Sequence, residues 1–274
     1  MRRFGIVAKK VLLLSLVTSF LVVIATWRAR SGSATALIPA YFYPSSAGLD
    51  AWNRLARDAG SINIEAILNP ASGPGTAQDP NYVAVVNKLR AAGGRVFGYV
   101  STRYGDRDII EVKKDIDKYI LFYNIDGIFI DEMANSQQRL PSYEKIYQYI
   151  KRFHSDFKVV GNPGMPYTLE GYLGAADTLV IFEGSLALYG NFRPMVTAPW
   201  VANHPRERFA NIVYSAPSAT DLMQALDQAG QTRAGSVYIT DGGLPNPYRR
   251  LPAYWGQAVA AIRARDLTLA SPKE

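Results

Sequence analysis

The sequence holds no cysteine and only two histidines in 274 residues. Without thiols there is no disulfide, no thiolate metal site and no cysteine nucleophile. His154 and His204 have no metal-ligand spacing to each other or to nearby acids, so no metal centre is expected. His154 falls in a helical pattern and reads as a surface residue. His204 sits in a loop that could reach a ligand. There is no Gly-x-Ser-x-Gly elbow and no Walker loop, which sets aside an α/β-hydrolase triad and P-loop phosphate chemistry. No Gly-rich dinucleotide fingerprint follows the first strand, and no cofactor is expected. Charge is also scarce: 19% of residues are charged and 48% are hydrophobic, a balance that favours a packed core over disorder.

Acidic residues are absent from the first 36 positions. Arg2, Arg3, Lys9, Lys10, Arg28 and Arg30 lie there, around an uncharged, mostly apolar run from Val11 to Trp27. The formal charge of +7 is therefore concentrated in this leader, and the rest of the chain, from Leu37, carries about +1. A nearly neutral domain gives no argument for nucleic-acid binding. The leader reads either as a signal peptide cut after Ala36, in the small-residue stretch Ser33-Ala34-Thr35-Ala36, or as an uncleaved signal anchor. Residues 1–36 are thus assigned to targeting and 37–274 to one extracytoplasmic domain. Membrane contact is expected only through the leader, and the chain is expected to be monomeric.

From Leu37 onward, strand-like and helix-like stretches alternate. Strands are predicted at 37–43, 62–68, 95–101, 127–131, 158–161, 178–182, 209–214 and 236–240. Parallel strands need crossover connections, and eight is the count at which such a sheet can close. The predicted fold class is an α/β, single-domain (β/α)₈ TIM barrel, with an open doubly wound sheet as runner-up. The segment 184–208 reads as a long loop overhanging the mouth.

Two apolar strands end in acids. One reads Asp126-Gly127-Ile128-Phe129-Ile130-Asp131-Glu132, the other Thr178-Leu179-Val180-Ile181-Phe182-Glu183. Ionised acids are rarely left in such runs without a purpose, and the carboxyl ends of barrel strands form the active-site mouth. Paired carboxylates in a cleft are the equipment of a glycosidase. Neighbouring strand residues point to opposite faces, so Asp131 is taken as inward and Glu132 as an orienting or sugar-binding group on the loop. The competing reading has one of the two capping the next helix. Glu183, beside aromatics, is expected to have a raised pKa suited to a general acid. Its competing reading is a salt bridge to Arg193. Tyr43, Asn69, Tyr99, Tyr104, Asn162, Tyr214 and Asp241, at other strand ends, are candidate sugar-binding groups, together with Thr102.

The order Ile38-Pro39-Ala40-Tyr41-Phe42-Tyr43-Pro44, Ile67-Leu68-Asn69-Pro70 with Ser72-Gly73-Pro74-Gly75, Gly98-Tyr99-Val100, the strand-four Asp131-Glu132, Asn162-Pro163-Gly164 and Phe182-Glu183 resembles the spherulin-4-like family. The resemblance spans roughly Leu37 to Asp241. It implies a (β/α)₈-barrel glycoside hydrolase. Relatives of that kind cut α-1,4-linked N-acetylgalactosamine or galactosamine polymers of microbial exopolysaccharide. It also implies Asp131 as nucleophile and Glu183 as acid/base of a retaining mechanism. The residues alone leave stereochemistry, linkage and endo or exo action open. The expectation is an exported, endo-acting glycosidase with a polysaccharide substrate; the rival is a non-catalytic glycan-binding barrel at the cell envelope.

Overall fold

The computed structural model describes residues 34–153, 155–164 and 168–270. The leader, apart from residues 34–36, and His154 lie outside the described residues. Among the described residues no helix is long and apolar enough to cross a membrane.

Eight strands run β1 (Thr35–Ala40), β2 (Asn63–Leu68), β3 (Arg95–Ser101), β4 (Gly127–Asp131), β5 (Lys158–Gly161), β6 (Thr178–Ser185), β7 (Phe209–Tyr214) and β8 (Ser236–Ile239). They pair in chain order, all parallel, and β8 returns to β1. The closed (β/α)₈ barrel is the predicted fold. The helices described are α1 (Ser46–Asp58), α2 (Pro80–Ala91), α3 (Ile109–Phe122), α4 (Leu140–Phe153), α5 (Leu186–Tyr189), α6 (Pro194–Thr197), α7 (Ala219–Gln231) and α8 (Trp255–Ala270).

Local chemistry starts these helices where the sequence indicates. Asp79 accepts from the Asn81 amide to cap α2, and Asp108 does the same for α3 through Ile110. Ser218 and Asp221 form a capping box on α7. The Trp52 indole on α1 donates to the Phe42 carbonyl at 3.1 Å, tying the helix to the exit of β1. On β3, Gly98 lets the Tyr119 ring of α3 come so close that a Cβ would sit 2.5 Å from it.

β1 begins two residues before its predicted start and ends three residues before its predicted end. Thr35 and Ala36 pair with Ser236 and Val237 of β8, and the Thr35 amide donates to the Gly235 carbonyl. Past Ala40 the neighbouring β2 has ended at Leu68, so the ladder has no partner to continue on. The folded domain thus includes Thr35 and Ala36, which the sequence reading assigned to the leader.

The segment 184–208 does not overhang the mouth. β6 takes its first two residues, and α5, α6 and two 3₁₀ turns follow (Pro199–Asn203 and Arg206–Arg208). Tyr189 and Phe192 pack on Phe182 with ring centroids 4.7 and 5.0 Å away. Gln228 of α7 donates to the Phe192 carbonyl. The segment fills the wall position a crossover helix would occupy between β6 and β7. His204 lies at its far end, where Nε2 meets Glu170 and the His204 carbonyl accepts from Arg233, just ahead of β8. That is the floor of the barrel, opposite the mouth. The floor also holds a buried Glu65, clamped by Lys158 at 2.9 Å and flanked by Arg95.

Candidate active site

β4 presents Gly127, Phe129 and Asp131 on one face, so Phe129 lies one layer below Asp131 inside the barrel. Tyr99 of β3 stacks on Phe129 at 6.4 Å and hydrogen-bonds the Asp131 carboxylate. Asn162, buried just beyond β5, is set by two ladder-like bonds: its amide donates to Ile130 and its carbonyl accepts from Met133. Its Nδ2 donates to Asp131 Oδ1 at 2.8 Å and to Glu183 Oε2 at 2.6 Å. One amide group therefore bridges the two carboxylates. Their nearest oxygens can be no farther apart than the sum of those bonds.

Glu183 reaches this point through an irregularity in β6. The β6–β7 register steps from Val180↔Ala210 to Phe182↔Asn211, leaving Ile181 as an extra residue. A bulge of this kind re-aims the side chains beyond it. Phe182 turns outward to Tyr189 and Phe192, and Glu183 turns into the barrel. Glu183 lies within β6, two residues before its end, not at its tip. Its Oε1 accepts from the Tyr248 hydroxyl at 2.5 Å. Arg193, the ion-pair partner considered from sequence, donates instead to the Gly190 and Phe192 carbonyls.

The Asp131 carboxyl is pushed up to about 7, first by burial and second by the nearby Glu183 charge. Bonds from Tyr99, the Glu132 amide and Asn162 oppose that rise. Tyr41, Tyr99 and Tyr248 ring the pair, with Tyr41 edge-on to both others at 5.7 Å. All three phenols are held neutral by burial and by the adjacent carboxylates.

Glu132 also reaches the mouth, although strand alternation alone would forbid it. Its φ of 50° is left-handed and breaks the alternation. Thr102 Oγ1 and the Tyr104 amide hold its carbonyl at 2.8 and 2.6 Å, and Tyr143 braces Thr102 from behind. Ser101 Oγ donates to the Glu132 carboxylate. Beside it lies a polar cavity of about 360 Å³, lined by Ser72, Tyr99, Ser101, Arg103, Arg107, Asp115 and Glu132. Ser72, Arg103 and Tyr104 have positive φ as well, so backbone strain gathers on this side of the mouth.

The remaining predicted ligands are scattered. Exposed Tyr104 sits at the rim and senses Glu132, Asp131 and Glu183. Tyr214 ends β7 beside Ser185. Tyr43 is turned outward, accepting from Asn81 and packing on Tyr82. Asn69 accepts from the Gly73 amide and shapes its own loop. Asp241 has both carboxylate oxygens engaged by Arg250 and the Ala253 amide. Tyr41 and Tyr248 were missed. Tyr41 was hidden by extending β1 to Tyr43, and Tyr248 lies in a loop with no strand pattern to mark it. Among the described residues no cluster of three or more His, Asp or Glu side chains could hold a metal ion.

Residues 35–262 match the family described as spherulation-specific family 4. The chain is 33% identical over 241 residues to spherulin-4 of Physarum polycephalum, covering 83% of this chain and 70% of that protein. Among solved structures, Aspergillus clavatus Sph3 in complex with GalNAc superposes with a TM-score of 0.72 at 25% identity, over 85% of this chain and 98% of that one. The Arthrobacter globiformis cyclic α-maltosyl-(1→6)-maltose hydrolase superposes with a TM-score of 0.53 at 10% identity, over 89% and 83% of the two chains, a likeness of fold. With its carboxylate pair at the mouth of a glycoside hydrolase barrel, the chain belongs to the spherulation-specific family 4 of which spherulin-4 is a member.

Proposed function

We propose that this protein is an exported retaining glycoside hydrolase, endo-acting on an α-1,4-linked N-acetylgalactosamine/galactosamine polymer. The observation that carries the mechanism is the Asn162 bridge. Its two bonds, 2.8 and 2.6 Å, bring one oxygen of each carboxylate close together, which supports the short carboxyl spacing of retaining enzymes, about 5–5.5 Å, over the roughly 6.5–9.5 Å of inverting ones. The GalNAc complex of Sph3 supports the sugar class.

Glu183 donates a proton to the leaving glycosidic oxygen. Asp131, ionised against Tyr99, Asn162 and the Glu132 amide, attacks the anomeric carbon. Glu183 then takes a proton from water, which releases the sugar from Asp131. Glu132 and the cavity beside it receive a neighbouring sugar unit.

The raised pKa of Asp131 favours a second allocation, with Asp131 as the acid and Glu183 as the nucleophile. An aryl glycoside with a good leaving group separates the two. Polymer cleavage by wild type, read by mass spectrometry, is expected to vanish in both Asp131→Asn and Glu183→Gln. On the activated glycoside Glu183→Gln is expected to keep its first step and to be rescued by azide, whereas Asp131→Asn stays inactive. The reverse pattern swaps the roles. Sugar binding without products from wild type would establish the glycan-binding rival.

A further inference from the structure

Tyr248 reaches Glu183 from a strap that the chain throws across the mouth after β8. The strap runs from Asp241 to Ala253, and both of its ends converge on one carboxylate. Arg250 Nη1 donates to Asp241 Oδ1 at 2.9 Å and Nη2 to Oδ2 at 3.1 Å, while the Ala253 amide donates to Oδ2 at 3.2 Å. Arg250 also holds the Leu251 carbonyl at 3.1 Å. Inside the loop, the Tyr248 amide donates to Asn246 Oδ1. Gly242 passes so close to the Pro247 carbonyl that a Cβ would lie 2.0 Å from its oxygen. The Gly242 carbonyl accepts from Ser215, which fastens the strap to the end of β7. Tyr248 itself is buried, edge-on to Tyr41 and tilted against Tyr238.

The Arg250 side chain is 57% exposed and that of Asp241 only 12%, so the guanidinium closes a largely buried carboxylate from its open side. A bidentate guanidinium–carboxylate fork also fixes geometry. The fork lies two residues from Tyr248, and Tyr248 and Asn162 are the described groups that hydrogen-bond the Glu183 carboxylate.

We propose that the strap is a positioning device for Glu183: Asp241 and Arg250 lock the loop, and the loop delivers the Tyr248 hydroxyl to Glu183 Oε1. This rests on the glycosidase reading above. It makes Asp241 and Arg250 positioning residues acting through Tyr248, and it accounts for an acid at the end of β8 that is closed to ligand.

The test is a double-mutant cycle on the full chain with Arg250→Met, Asp241→Asn and Tyr248→Phe, assayed on the galactosamine-type polymer. Each single change is expected to lower kcat roughly 10- to 100-fold, the penalty of a small misplacement, with KM within about twofold. Arg250→Met added to Tyr248→Phe is expected to cost nothing further, because both act through one contact. Additive losses, or a loss confined to KM, would overturn the proposal. A readout without substrate accompanies it: the downfield hydroxyl proton of a phenol bound to a carboxylate, seen by NMR in wild type and absent in Tyr248→Phe. Its loss or shift in Arg250→Met supports the strap even if wild type turns over no polymer, an outcome that would sink the glycosidase reading alone. An unchanged resonance in Arg250→Met overturns the strap.

Discussion

Asp131 is buried beside a second acid, and its carboxyl is raised from the ordinary 3.8 to about 7. Between those values the native protein binds more protons than the unfolded chain, so this group's contribution falls as pH rises through the window. Below about 4 the contribution is fully present, and above about 7 it is lost. Asp131→Asn removes the charge that burial penalises while keeping most of the shape. The variant is expected to gain stability over wild type as pH climbs from 4 to 8, by up to roughly 4 kcal/mol, read from urea titrations across that range. A gap that does not vary with pH would refute the assignment. Asn162→Ala removes the bridge itself and is expected to lower kcat about 100-fold with little change in KM. Asp131, Glu132, Glu183 and Asn162 were visible in the sequence because each stands at or near the end of an apolar run. Tyr248 was not, since nothing near it in the chain marks the 65 positions that separate it from Glu183.

Strands β3, β4, β5 and β7 were legible to the residue, because continuous apolar β-branched runs with turn signals on both sides leave little choice of boundary. β6 was read short. Its bulge at Ile181 is a pairing property, set by what β7 offers across the ladder, and has no local signature. The left-handed turn at Glu132 is similar, being imposed by Thr102 and Tyr104 from the β3 loop. Close approach between strands is testable through Gly127, where a Cβ would lie 1.9 Å from the Lys158 carbonyl oxygen. Gly127→Ala is expected to destabilise the barrel by roughly 1–3 kcal/mol in chemical denaturation. Gly60→Ala, with open space around it, serves as the control and should fall within about 0.5 kcal/mol of wild type.

Closure of the barrel rests on a narrow seam. β1 makes six register pairs with β2 but only two with β8, through Thr35 and Ala36. A chain beginning at Leu37 keeps every candidate catalytic residue and loses both closing pairs. It is expected to melt well below one beginning at Ala34, by roughly 2–4 kcal/mol for the lost ladder bonds and the uncovered edge. Equal melting of the two would show that the seam carries no stability. If the leader is cut, the same geometry places a tolerable cut upstream of Thr35. The seam also has a mechanical side. A pull on Thr35 directed away from the barrel wall loads one rung at a time and opens the two β8 pairs first. A pull along the strand axis loads the six β2 pairs together. A protein held by this end would therefore resist drag in one direction far better than in the other, with the weak direction set by how β1 leaves the surface.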